Sequence, residues 1–151
     1  MKYFENLLHS IKELPIFDVH SHISIDQPQC RDLSDILFYH FMRRELYSAG
    51  LKDDNYLVSN TPFEERIGEF FKYKPLVENT TTFWCIKKIL NDIYHVTDGD
   101  IRPDNWKDLQ QQIIQKGRDF SYPKSILNRM NVQCSLICEN HWSQEGLARN
   151  Q

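Results

Sequence analysis

Two short apolar segments lie far apart in this chain, Ile16 to Ile23 (IFDVHSHI) and Val132 to Cys138 (VQCSLIC), and residues 24–131 between them carry an almost purely helical pattern. A strand-helix-strand crossover ordinarily takes about 30 residues, and this connection is more than three times that length. The pattern therefore predicts an α/β chain in which a helical insertion or subdomain is mounted between two sheet strands. The expected organisation is an N-terminal helix and first strand over 1–23, the helical insertion over 24–131, a second strand over 132–140, and a tail over 141–151 that has neither period and is expected to be unstructured.

Phe4, Leu7, Leu8 and Ile11 form a helical stripe that Pro15 ends. In the first strand, strict alternation puts Phe17, Val19 and Ser21 on one face and Ile16, Asp18, His20 and His22 on the other. From Asp32, the residues Leu33, Ile36, Leu37, His40 and Phe41 recur as one helix that ends at Gly50. Thr61-Pro-Phe-Glu64 reads as a capping box opening a helix through Ile67, Phe70 and Phe71. Further helices carry Phe83, Ile86, Leu90, Ile93 and Tyr94, then Trp106, Leu109, Ile113 and Ile114 up to Gly117, then Ile126, Leu127 and Met130 after Pro123. The period then changes, and the second strand is expected to be buried.

The 151 residues suffice for one ordinary core, and a net charge of −3 with interspersed signs disfavours a partner that needs a basic face, so neither nucleic acid nor an acidic membrane surface is expected. No run approaches the ~20 apolar residues of a membrane helix, and Glu5, His9 and Glu13 stand where a signal peptide would be apolar. A cytoplasmic location is the expectation. Cys30, Cys85, Cys134 and Cys138 are unevenly spaced and read as reduced core thiols, with no second Cys/His pair to complete a structural zinc site. Phosphate-loop, dinucleotide and serine-nucleophile motifs are absent from the sequence.

The sharpest chemical feature is Asp18-Val-His20-Ser-His22. Imidazoles at i and i+2 share a strand face, and their neutral nitrogens suit zinc and other divalent ions. With six histidines, chance supplies about one such triplet in four chains of this composition, so the alternative is two solvated histidines at a strand end. His40 falls on the apolar stripe of its helix, as a histidine satisfied by a backbone carbonyl; alternatively it pairs with Arg44 at i+4 to face an anionic substrate. His95 ends a helix, where a cation meets the negative dipole end. His9 and His141 read as exposed. Trp84 and Trp106 fit core stripes, and no tryptophan, Trp142 included, has the basic neighbours of a base-stacking platform.

Read together, these segments resemble a known family. P-I-F-D-V-H-S-H resembles the first-strand H-x-H of the metal-dependent (β/α)8 barrels of the amidohydrolase superfamily. Within it the chain looks most like uronate isomerase: HFMRRELYSAG (His40 to Gly50) resembles that family's H-Y-x-W-R-x-M-R-x-x-G, TFWCIKKILNDIYHVTDGDIRPDNW its helical insertion, and LNRMNVQCSLICEN its second strand with the preceding helix. Phe41 stands where the family usually has Tyr, and Cys138-Glu139-Asn140 where it has Thr-Asp-Asp. The resemblance implies the N-terminal part of a TIM barrel, with an aldose-ketose isomerase activity on hexuronates of the D-glucuronate to D-fructuronate type. It makes His20 and His22 ligands of a divalent metal ion, zinc by preference. His40 becomes an active-site polar group and Arg44 its neighbour; a homo-oligomer is among the expected assemblies. Two further readings are a metal-dependent hydrolase of the same superfamily acting on an amide or ester, and a non-catalytic helical module in which the histidines are incidental.

A complete barrel takes ~250 residues, so this chain is expected to be an N-terminal part lacking a complete catalytic site. Assayed alone for glucuronate isomerisation, the refolded 151-residue chain should be inactive; turnover at enzyme-like rates overturns that expectation.

Overall fold

The computed structural model describes residues 2–24 and 26–137, and the readings placed on Cys138, His141, Trp142 and the tail lie outside them. In chain order the elements are α1 (Lys2–Lys12), β1 (Ile16–Ser21), α2 (Leu33–Leu37), α3 (His40–Ser48), α4 (Phe63–Val77), α5 (Thr81–Asp92), α6 (Trp106–Gly117), α7 (Tyr122–Arg129) and β2 (Val132–Ile137), with single 3₁₀ turns at Asp54–Val58 and Thr97–Gly99. They fall into two units: a helical unit, Gln29–Phe120, and a strand unit made of the chain before and after it. The helical unit is narrower than the expected insertion, because α7 groups with the strands. No helix among the described residues is long and apolar enough to cross a membrane.

In the strand unit β1 and β2 pair in parallel. Asn131, left-handed at φ 57°, aligns their starts: its carbonyl accepts from Ile16 N at 2.8 Å, and its side-chain amide donates to the Glu13 carbonyl at 3.2 Å. Register then slips twice, between Ile16 and Phe17 and between Asp18 and Ser21. The second slip corrects the strict alternation read from the sequence: a bulge re-aims the residues beyond it, and Ser21 alone in β1 is buried. β2 is likewise not the buried strand expected; Leu136 is 57% exposed. The α1 stripe is also in solvent, with no buried residue in that helix. These segments have the right composition for a core but no apolar layer over them among the described residues.

The helical unit has a core of its own. Leu33, Leu37, Met42, Leu46, Leu57, Phe70, Leu90, Ile101 and Ile113 are fully buried, and Phe83 and Ile67 nearly so. Asp32 caps α2 by accepting from Ser34 N, and Thr80 caps α5 by accepting from Phe83 N. The expected helix from Asp32 to Gly50 is in fact two. Tyr39, at φ −57° and ψ 147°, interrupts it, so that Phe38, Met42 and Leu46 face the core while His40 and Phe41 turn out to solvent. The expected capping box at Thr61 does not form: α4 starts after Pro62 with no side-chain cap. Instead the Arg66 guanidinium donates back to the Thr61 and Leu57 carbonyls at 2.9 and 2.8 Å.

Trp106 is buried as expected, but Trp84 is 61% exposed, because the buried stripe of α5 runs through Phe83, Ile86 and Leu90. The thiols are not uniformly core residues either. Cys30 is half-buried and its pKa is pushed up to about 12, chiefly by burial, with Asp35 adding to it; Cys85 and Cys134 are exposed free thiols. Lys74, partly buried, bridges Glu78 at 2.8 Å and Asp100 at 3.0 Å. Burial works to lower its pKa, and those bonds outweigh it, holding the ammonium above the ordinary lysine value.

Two glycines mark backbone contacts that admit no side chain. A Cβ at Gly99, which sits at φ 66°, would meet the Lys87 carbonyl oxygen at 2.1 Å, and one at Gly117 would meet the Cys30 carbonyl oxygen at 2.3 Å. Gly99→Ala and Gly117→Ala should each cost about 2–4 kcal/mol, read as a fall in the urea midpoint. Gly68, with nothing within 4 Å of a built Cβ, is the control: Gly68→Ala in α4 should raise stability by up to about 1 kcal/mol.

Candidate functional site

β1 delivers His20 at its end, and His22 follows just beyond it. Although the bulge breaks the strand's phase, the two imidazoles converge: their Nε2 atoms stand 3.1 Å apart, with the rings edge to face at a centroid distance of 4.9 Å. That separation is a hydrogen bond when one ring carries the Nε2 proton. It is also close to the spacing of two nitrogen ligands of one tetrahedral ion, about 3.3–3.4 Å for bonds of about 2.0–2.1 Å. Both histidines are solvent-exposed, so donors would not have to be dug out of the interior to meet an ion.

Asp18, the acid nearest in sequence, does not join them as a third donor. Its carboxylate accepts from His20 N at 3.2 Å and from the Ser135 hydroxyl at 2.9 Å, which ties β1 to β2. Among the described residues no group of three or more His, Cys, Asp or Glu side chains could hold a metal ion. The donor set therefore fits a divalent ion in part: two imidazoles, where a catalytic zinc ordinarily takes three protein ligands.

His40 and Arg44 belong to the helical unit and so to a different unit from the histidine pair. His40 opens α3, exposed between Tyr39 and Phe41, with ring centroids 4.2 and 4.1 Å away. It lies on the wall of an open polar cleft of about 470 Å³. Arg44 lies elsewhere, beside Glu45, Ser48 and Thr80. Arg31, Arg43 and Arg66 share the cleft with His40; of these Arg43 lies on the same helix as His40, and sequence reasoning passed over it because the interruption at Tyr39 leaves no signature in residue type. His95 takes a left-handed conformation, φ 59°, and its N–H donates to the Asn91 carbonyl at 3.1 Å, ending α5 in a structural role.

The same cleft holds the Arg31–Asp35 pair, in which the guanidinium donates from Nε at 3.0 Å and from Nη2 at 2.6 Å. Burial works to raise the Asp35 pKa, but the side-chain and backbone bonds from Arg31 outweigh it and hold the carboxyl below the ordinary carboxylate range. A depressed folded pKa means that the associated stabilisation is complete above about pH 4 and disappears as pH falls through the lower folded value. Arg31→Gln should raise the Asp35 pKa, read by carboxyl NMR titration, and move the acid-unfolding midpoint of the helical unit to higher pH; an unmoved titration would mean the pair exerts no hold on the carboxyl.

Compared with known proteins, the chain matches no protein-family model and no curated protein.

Proposed function

We propose that this chain carries the first metal-ligating element of a uronate isomerase-like enzyme, with His20 and His22 as two ligands of a divalent ion, zinc by preference. The observation that carries the reading is the 3.1 Å convergence of the two Nε2 atoms at the end of a parallel strand. In a (β/α)8 barrel the site lies at the C-terminal ends of the strands, and that is where this pair falls in β1. Further support comes from the surfaces of the strand unit. Phe17 and Val19 on β1 and Leu136 on β2 are 57–74% exposed, whereas parallel sheets are ordinarily covered on both faces; further strand-helix units would provide that cover.

A divalent ion held there would polarise a substrate oxygen as a Lewis acid. The chain's own groups have simpler tasks. His20 and His22 present lone pairs and hold each other in register. His40 and Arg44, assigned to the site by the motif resemblance, would contribute an imidazole for proton movement and a guanidinium for the hexuronate carboxylate. With Phe41 in place of tyrosine, no hydroxyl is offered at that position. One observation favours the non-catalytic reading instead: among the described residues the buried apolar core belongs to the helical unit, which is what a free-standing helical module requires.

Zinc titration of the 151-residue chain, followed through the His20 and His22 ring resonances, separates these readings. Under the metal-ligand reading both resonances move together at one equivalent, and His20→Ala/His22→Ala removes the bound ion. Retention of zinc by the double variant would sink it. For the reaction class, the protein in its natural form should interconvert a hexuronate and its keto-acid and leave lactones and amides untouched; the reverse preference would favour the hydrolase.

A further inference from the structure

Among the described residues, every arginine and aspartate lining the cleft of the helical unit has a side-chain hydrogen-bond partner except Arg43. The cleft is walled by α2, the start of α3 and the segment leading into α4, and three arginines and two aspartates face it. Both acids are already engaged. Asp35 is held by Arg31, and Asp32 caps α2 through Ser34 N at 2.8 Å and also accepts from the Ser34 hydroxyl. Arg66 is satisfied geometrically but not electrically: its acceptors are the neutral carbonyls of Leu57 and Thr61, and its guanidinium lies 5.6 and 5.4 Å from the ring centres of Phe38 and Phe63. Arg43 Nε is buried and donates to no acceptor of the described chain.

A buried donor left unpaired costs about 1–3 kcal/mol, and more when it is charged. A guanidinium cannot escape that cost by losing its proton. Its planar fork is matched by one kind of acceptor above others, an oxyanion that takes two parallel N–H bonds. On the same wall, Tyr39 and His40 lie side by side with ring centroids 4.2 Å apart, and Tyr39 is 45% exposed, a surface suited to the flat or apolar body of a ligand. We propose that this cleft binds the carboxylate or phosphate group of a small ligand, with Arg43 donating to the oxyanion and Arg66 supplying a fixed positive charge beside it. The site lies wholly within the helical unit and does not rest on the isomerase reading.

The test is a titration of the full chain with inorganic phosphate and, separately, with acetate, following the Arg43 and Arg66 Nε–H resonances by NMR. Saturable movement of both is expected for at least one anion, and the tighter of the two identifies the ligand's head group. Arg43→Gln should weaken that binding about tenfold or more, the loss of one charge-assisted bond. Arg43→Lys, which keeps the charge and loses the fork, should fall between. Arg118→Gln, on an exposed position outside the cleft, should leave it unchanged. The wild-type resonances decide the matter even if an Arg43 variant unfolds. No saturable shift below about 50 mM of either anion, or equal weakening by Arg43→Gln and Arg118→Gln, overturns the proposal.

Discussion

Burial of the apolar stripes of α2 to α6 against one another is what the organisation of this chain depends on. Among the described residues every buried apolar side chain, from Leu33 to Ile113, belongs to Gln29–Phe120. At about 1.5–3 kcal/mol for each large apolar side chain removed from water, that core offsets the conformational entropy of its own segment. It also explains the tightness of the connections: α6 comes so close to the segment before α2 that only glycine fits at position 117, and the turn after α5 closes on the Lys87 carbonyl at Gly99. The strand unit has no counterpart. Its order comes from backbone pairing, from Asn131 aligning the strand starts, and from the Asp18–Ser135 bond. Many of its large apolar residues, Phe17, Val19 and Leu136 among them, remain in solvent.

This asymmetry sets what could be read in advance. Helices packed against helices announce themselves by a 3.6-residue period, and α5, α6, α7 and the start of α4 were legible to within a residue or two, whereas the reading of α4 went no further than Phe71 and the helix runs to Val77. Period reports that a face is apolar, however, and not that anything covers it. Leu7, Val19 and Leu136 have the composition of core residues, yet each is exposed. Phase was the second blind spot. Leu33, Ile36, Leu37, His40 and Phe41 fit a single helix, and no glycine or proline warns of the extended ψ at Tyr39. The interruption costs the chain one turn of helix and rotates α3, which brings Met42 and Leu46 into the core and carries His40 out of it. Trp84 is a milder case of the same kind: one residue beside the buried stripe of α5, it lands in water.

The candidate site divides along the same line. His20 and His22 were legible because two residues in a strand suffice to bring side chains together, and their convergence survives the loss of strict alternation. Asp18 was placed on the right strand with no task assigned to it. Only the pairing with β2, a contact between residues 117 apart, shows that its carboxylate holds the sheet together. Arg43 could not be singled out at all, since its position depends on the rotation of α3, on Arg66 from α4 and on where the acids of α2 find their partners.

Those partners make Arg43 informative. The helical unit answers its cations in different ways. Lys74 receives two carboxylates, Glu78 and Asp100. Arg31 receives the two oxygens of Asp35. Arg66 receives two backbone carbonyls and lies near two aromatic rings. The guanidinium of Arg43 stays charged. Among the described residues its Nε has no acceptor, and both carboxylates of the cleft, Asp32 and Asp35, are engaged by other donors. A structural arginine would be expected to have been given one of them. An arginine kept for a ligand has to go without, because an internal carboxylate would compete with the incoming oxyanion for the same fork.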